Sequence, residues 1–355
     1  MGNKIIKEKN IEEVLKYYGI NEKISTISFL CENYYMEKMD FRIRVISKVK
    51  TIDEKIYIIK FIFEEEHPYE LIEEQSIFSE CLRNNGIETA KQLKYKDNYC
   101  YLYSIDDIKL NVTIQEYIGE EVEFLTEDII KKTAMLMAKM HKISEQYKCH
   151  IGNDTIWNIF NDNTDIMRGY IKFNELYKAI IDIDENNYKL VDNINKIYID
   201  RKMNIERIKN KLPKYATQGD FSINNLTYEN DKLGIFDYNI AGDEFLIVDM
   251  IVEGLFITKV MDLSKTLSDE DRTDLFKLFV KTYIKYRKIT NDEFSILNDI
   301  YAIIVPFWWS RIIFDEKESL VSILNDKNKV KLKSFLEETQ NILQSNYFNN
   351  VEIEI

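Results

Sequence analysis

Gln218-Gly219-Asp220-Phe221-Ser222-Ile223-Asn224-Asn225 runs into Leu226-Thr227-Tyr228, a turn, and then Leu233-Gly234-Ile235-Phe236-Asp237-Tyr238. The stretch is polar and rich in turn residues, and helical patterns flank it on both sides. An Asp followed five residues later by Asn means little by itself in a chain so full of both. The context is more specific. A glycine precedes the Asp, a short strand pattern follows the Asn, and a second strand pattern ends on another Asp. A loop and hairpin of this length can bring Asp220, Asn225 and Asp237 to one spot. Reactive groups tend to sit on such loops when a rigid scaffold holds them.

That trio suits phosphoryl transfer. The reaction needs a carboxylate to orient an attacking hydroxyl and accept its proton, and Asp220 is the candidate. It also needs Mg2+, which takes one or two carboxylates together with neutral oxygen ligands and water. Asn225 and Asp237 are the candidate metal ligands.

A cation for nucleotide phosphates is expected further upstream. In Ile56-Tyr57-Ile58-Ile59-Lys60-Phe61-Ile62-Phe63, period-two alternation puts Lys60 on a face with Ile56, Ile58 and Ile62. The other face is apolar as well, so this strand pattern has no solvent side. A lysine there must snorkel or meet an anion, because an unpaired buried ammonium is costly. The helical stretch that opens after Pro68 supplies Glu73 and Glu74. Glu74 shares a helical face with Ile77, Phe78 and Cys81, so it is expected to point inward and pair with Lys60.

The first third reads mainly as strands: 24–31, 41–50, 56–63, 99–104 and 110–118, with helices at 10–18 and from Pro68 to Asn84-Asn85-Gly86. From Thr126, an N-cap before two acids, the pattern turns helical. Further helices are expected at 169–181, 190–211, 245–262, 269–287, 291–315 and 327–346, with a capping box at Thr290-Asn-Asp-Glu293. The expected fold class is α+β: a small antiparallel-sheet lobe over residues 1–118, then a larger, mostly helical lobe over 119–355.

Composition excludes several classes. With 45% hydrophobic and 13% aromatic residues and only three prolines in 355, the chain is not a disordered one. Sixty-one acids against 48 bases give a net charge of −13, which argues against a nucleic-acid partner. Glu253 and Lys259 interrupt the most apolar run, 248–261, so no membrane span is expected. Four scattered cysteines without a C-x-x-C pair, and no apolar leader after MGNKIIKEKN, point to free thiols in the cytoplasm. G-x-S-x-G, H-E-x-x-H, G-x-x-x-x-G-K-[ST] and G-x-G-x-x-G are all missing.

These residues, in this order, resemble the aminoglycoside phosphotransferase-like kinases, a superfamily that includes choline and homoserine kinases. The resemblance spans roughly residues 20–315. The family pattern H-G-D-x-x-x-x-N appears as Gln218-Gly219-Asp220 to Asn225, the later I-D-[FWY] as Phe236-Asp237-Tyr238, and the strand lysine as Lys60. Leu136-Met-Ala-Lys-Met140-His141 looks like the family's L-x-x-L-H helix, and Asp249 like the aspartate that pins the catalytic loop. Gln115-Glu116-Tyr117-Ile118-Gly119 looks like the hinge strand, where backbone groups at Glu116 and Ile118 would hold a purine edge. Phe307-Trp308-Trp309-Ser310-Arg311 is similar to a stretch of the homoserine-kinase-like branch. The resemblance implies a two-lobed protein-kinase-like fold, ATP or GTP as co-substrate, and a small hydroxyl-bearing acceptor such as an aminoglycoside, amino alcohol or homoserine-like compound. Two departures stand out. Gln218 replaces the family histidine, and the expected phosphate-covering loop, 32–40, contains no glycine. They leave open a binding protein that keeps the fold without turnover.

Overall fold

The computed structural model describes residues 5–37, 40–260, 268–313 and 318–351. They form two compact units, each gathered from segments distant in sequence. The first takes in Met1–Phe124, Cys149–Asn153 and Ile223–Gly242; the second takes in Leu125–Lys148, Asp154–Ser222 and Asp243–Ile355.

The elements begin α1 (Glu8–Tyr17), β1 (Ile24–Glu37), β2 (Asp40–Thr51), β3 (Ile56–Phe63), α2 (Tyr69–Asn84), β4 (Tyr101–Ile105) and β5 (Ile108–Glu116). They continue α3 (Glu127–Tyr147), α4 (Asp165–Glu175), α5 (Tyr177–Ile183), α6 (Tyr188–Ile208), β6 (Lys214–Thr217), β7 (Leu226–Glu229), β8 (Lys232–Ile235) and β9 (Gly242–Phe245). The rest is helical: α7 (Leu246–Leu255), α8 (Asp269–Tyr286), α9 (Asn291–Ser295), α10 (Leu297–Ile304), α11 (Trp309–Ile312), α12 (Leu320–Asn325) and α13 (Lys329–Gln344). This sheet-then-helices arrangement is the protein-kinase-like fold.

In the first unit, five strands form an antiparallel sheet in the order β1-β2-β3-β5-β4. The β1–β2 ladder runs from Ile24 opposite Thr51 to Glu37 opposite Asp40. Most of the expected loop 32–40 is therefore strand, because Tyr34 and Tyr35 extend the pairing against Ile43 and Arg42. Lys38 and Met39 lie outside the described residues.

β3 is covered on both faces. Tyr57, Ile59 and Phe61 pack in one core with Val45, Val112, Ile114 and the Ile11, Val14 and Leu15 face of α1. Each such aliphatic, fully buried, contributes about 1.5–3 kcal/mol, so α1 is held by its stripe rather than by propensity. On the other face Ile62 packs against Ile72 of α2 and Cys100. Gly86, at φ +79°, closes α2 where an L side chain would be strained.

In the second unit, Thr126 Oγ1 accepts the Ile129 N–H to cap α3, and Ser144 Oγ donates to the Ala216 carbonyl of β6. Every residue of α7 is buried. The helices expected over 169–181 and 291–315 are each interrupted. The first breaks at Leu176; the second breaks at Ile296 and again over Val305–Phe307, where Pro306 has no N–H to continue the ladder. α4 runs so close to that segment that a Cβ at Gly169 would sit 1.7 Å from the Phe307 carbonyl oxygen. Among the described residues, no helix is long and apolar enough to cross a membrane. The four cysteines are free thiols, with Cys81 and Cys149 Sγ atoms 3.6 Å apart.

Candidate functional site

The first unit brings Lys60 and Asp237 together. Lys60 leaves the middle of β3, opposite Ile46 on one side and Thr113 on the other. Its Nζ lies 2.7 Å from Asp237 Oδ1. Asp237 follows β8, whose ladder with β7 sets Leu226 opposite Ile235. The Phe236 N–H donates to the Asn225 carbonyl, so the hairpin holds Asn225, itself buried, beside the strand end that carries Asp237. Asp237 has φ +60°, a left-handed conformation that Asp tolerates better than most residues. Burial works to raise its carboxyl, but the charge and hydrogen bond of Lys60, with Arg44 behind them, hold it below the usual carboxylate range.

Glu74 is not the partner of Lys60. Its Oε2 accepts the Gly152 N–H at 2.7 Å. The expectation failed because it took Ile77 as an inward residue, and Ile77 is 53% exposed. The face of α2 turned to the interior carries Ile72, Gln75, Ser76 and Ser79 instead. Gln75 Nε2 donates to the carbonyls of Asn239 and Ala241, just beyond Asp237. A small cavity of about 40 Å³, room for about one water, is bounded by Lys60, Ile62, Ile72, Gln75, Gln115 and Asn239.

At the end of β5, the Tyr117 N–H donates to the Ile56 carbonyl. Antiparallel alternation makes the next pair, Tyr57 with Glu116, a non-hydrogen-bonded one, so the Glu116 backbone groups point away from β3. Its N–H reaches the Lys91 carbonyl, and its side chain pairs with Lys91. Ile118, two residues on, takes no part in the sheet ladder.

The second unit fixes the loop around Asp220. Gly219 has φ +78°, which glycine adopts without strain. The Gln218 side-chain oxygen accepts the Asp220 N–H at 2.7 Å. Glu253 Oε2 accepts the Phe221 N–H, while Trp157 Nε1–H is shared between Glu253 Oε1 and the Gly219 carbonyl. Backbone groups on both sides of Asp220 are thereby held by one buried Trp–Glu pair. Burial, reinforced by the charges of Asp249 and Asp220, pushes the Glu253 carboxyl up.

Asp249 supports the loop from behind, accepting from Thr217 Oγ1 at 3.0 Å and meeting His141 Nε2 at 3.0 Å. Burial, against the pull of Asp249, lowers His141, and its Nδ1 lies 2.7 Å from the Tyr283 hydroxyl. Trp157 escaped the sequence reading, and Glu253 entered it only as an interruption of the apolar run 248–261, although an acid in such a run is itself a signal that something must pair with it.

No family model matches the chain, and no curated protein matches its sequence. Solved structures do. An amicoumacin kinase in complex with AMP-PNP, Ca2+ and Ami is 13% identical, with a TM-score of 0.58 over 97% of this chain and 99% of that one. A microcompartment-associated aminopropanol kinase is 12% identical, with a TM-score of 0.57 over 95% of each chain. A choline kinase from Cryptosporidium parvum is 12% identical, with a TM-score of 0.52 over 96% of this chain and 98% of that one. The chain has the protein-kinase-like fold that these small-molecule kinases share.

Proposed function

We propose that this protein is a small-molecule kinase that moves the γ-phosphoryl group of ATP or GTP to an acceptor hydroxyl. The observation that carries the reading is the Lys60–Asp237 pair, an ammonium on a central strand held 2.7 Å from a hairpin carboxylate. A fold shared with solved small-molecule kinases supports it. In this reading Lys60 binds the triphosphate, and backbone groups at Glu116 and Ile118 hold the purine edge. Asp220 orients the acceptor hydroxyl and takes its proton as the oxygen bonds to the γ-phosphorus. The bond from that phosphorus to the β–γ bridging oxygen breaks, and the electron pair leaves with the nucleoside diphosphate.

Asn225 and Asp237 fit Mg2+, an amide oxygen and a carboxylate kept ionised beside Lys60. When bound, the ion neutralises phosphate oxygens. The structural neighbours suggest an aminoglycoside or an amino alcohol as acceptor, and the resemblance at Phe307–Arg311 suggests a homoserine-like compound.

The test is nucleotide consumption over a panel of aminoglycosides, choline, aminopropanol and homoserine, with Mg2+ present. Asp220→Ala should cut turnover by roughly 10²–10⁴-fold while sparing nucleotide affinity. Asp237→Ala should weaken Mg2+-nucleotide binding. Nucleotide-dependent stabilisation with no turnover on any acceptor would favour the binding-protein alternative. Undiminished turnover in Asp220→Ala would remove the base from the scheme.

A further inference from the structure

Cys81 and Cys149 meet inside the first unit, which takes in both α2 and the segment Cys149–Asn153. Their Sγ atoms lie 3.6 Å apart although 68 positions separate them in the chain. Neither residue is fully buried. Cys100, by contrast, is 2% exposed, and burial pushes its thiol up to about 12. Thiol exchange runs through the thiolate and needs access, so Cys100 is poorly placed for it.

The backbone holds the pair in place. Cys81 lies near the end of α2, and its carbonyl accepts from Asn85 Nδ2 at 2.8 Å. Lys148, in a left-handed conformation at φ +51°, turns the chain into Cys149. Three residues on, the Gly152 N–H donates to Glu74 Oε2 at 2.7 Å, and a Cβ at Gly152 would sit 3.2 Å from that oxygen. Glu74 and Cys81 are seven positions apart on α2, about two turns and about 10.5 Å of rise. Three extended residues span about 10–11 Å, so segment 149–152 runs along α2 from one contact to the other. The glutamate end is a charge-assisted hydrogen bond. The cysteine end is the weaker clamp, because a thiol is a poor donor.

We propose that Cys81 and Cys149 are a reversible dithiol–disulfide pair that staples segment 149–153 to α2, with a low-molecular-weight disulfide such as oxidised glutathione as the oxidant. One cysteine thiolate attacks a sulfur of the oxidant, giving a mixed disulfide and releasing one glutathione thiolate. The other attacks the protein sulfur of that mixed disulfide. The Sγ–Sγ bond forms at about 2.05 Å, and the second glutathione thiolate leaves. The two cysteines are oxidised, the oxidant is reduced to two thiols, and the protons lost by the cysteines end on them. The inference stands on the first unit alone and does not depend on phosphoryl transfer.

Incubating the full chain with oxidised glutathione, quenching in acid and mapping peptides without reductant tests it. Cys81 should be found joined to Cys149, and dithiothreitol should restore both thiols. The oxidised protein should melt about 5–10 °C higher, because the link closes a long loop. Cys81→Ser and Cys149→Ser should each lose both the link and the thermal shift, whereas Cys31→Ser should keep both. Glutathione retained on Cys81 or Cys149, a link to Cys31 or Cys100 instead, no modification of the pair, or a link that leaves melting unchanged would overturn the inference. So would a thermal shift that survives in Cys149→Ser.

Discussion

Lys60 Nζ and Asp237 Oδ1 meet at 2.7 Å although 177 residues separate them in the chain. The contact joins the central strand of the sheet to the end of a hairpin contributed by a much later segment. Each finds its partner in a distant segment, so this pair exists only if the tertiary arrangement does.

Removing the cation should therefore cost stability in a pH-dependent way. The Asp237 carboxyl titrates lower in the fold than unfolded. Its contribution is present above the unfolded value, near pH 3.9, and is lost as pH falls through the folded one. Lys60→Met is expected to lose about 1–3 kcal/mol at pH 7, less than for a fully buried pair because both side chains keep some solvent. Urea unfolding at pH 7 and pH 3 checks this, with the gap from wild type narrowing in acid. A gap that is constant across that range contradicts the assignment.

Trp157→Phe should act on the loop that carries Asp220. It keeps most of the ring but strips the N–H from the Gly219 carbonyl and from Glu253 Oε1. The expected stability loss is about 1–3 kcal/mol, the cost of leaving buried acceptors unpaired. If Asp220 is the base, kcat should drop more than KM rises, because loop position matters most at the transition state. Steady-state kinetics beside thermal unfolding separates the two effects.

Glu244 predicts a slope in the opposite direction. It is fully buried, and burial pushes its carboxyl up to about 8, only partly offset by the Thr155 hydroxyl and the Phe245 N–H. The folded protein then keeps a proton that the unfolded chain has released between about pH 4.3 and 8. Stability is fullest below the unfolded value and declines as pH rises through the folded one. Glu244→Gln mimics the neutral acid, so its melting temperature should match wild type near pH 4.5 and exceed it by several degrees at pH 9. Parallel melting curves for the two proteins across that range would sink the claim.

Gly169→Ala is a purely steric test. Alanine gains about 1 kcal/mol of helix propensity over glycine, but here its Cβ would fall 1.7 Å from a backbone oxygen and 2.8 Å from the carbonyl carbon of Phe307. Backbone cannot swing aside as a side chain can. A net loss of about 3 kcal/mol or more by denaturant unfolding is expected.

The sequence patterns revealed the sheet, α2 and the main helices because their periodicities are local. Lys60 was legible for the same reason, being one charge in an apolar, alternating run. Glu74 was misplaced because an apolar residue on its face, Ile77, points to solvent, and amphipathic arithmetic assumes it does not. Gln75 carries no charge and gives no such signal, yet it is the side chain that ties α2 to the segment after Asp237. Glu253 was visible as an oddity, an acid in an apolar helix, but its partner Trp157 lies 96 residues away. Long-range pairings of this kind have no period to read.

The first unit is completed only by Ile223–Gly242, far downstream of its sheet. During synthesis, a nascent chain that has emerged as far as Phe124 therefore lacks the hairpin bearing Asp237, and Lys60 must wait for roughly a hundred more residues to leave the ribosome. This unit should lock late in biosynthesis, and truncations ending before residue 242 should be prone to proteolysis even when every strand of the sheet is present.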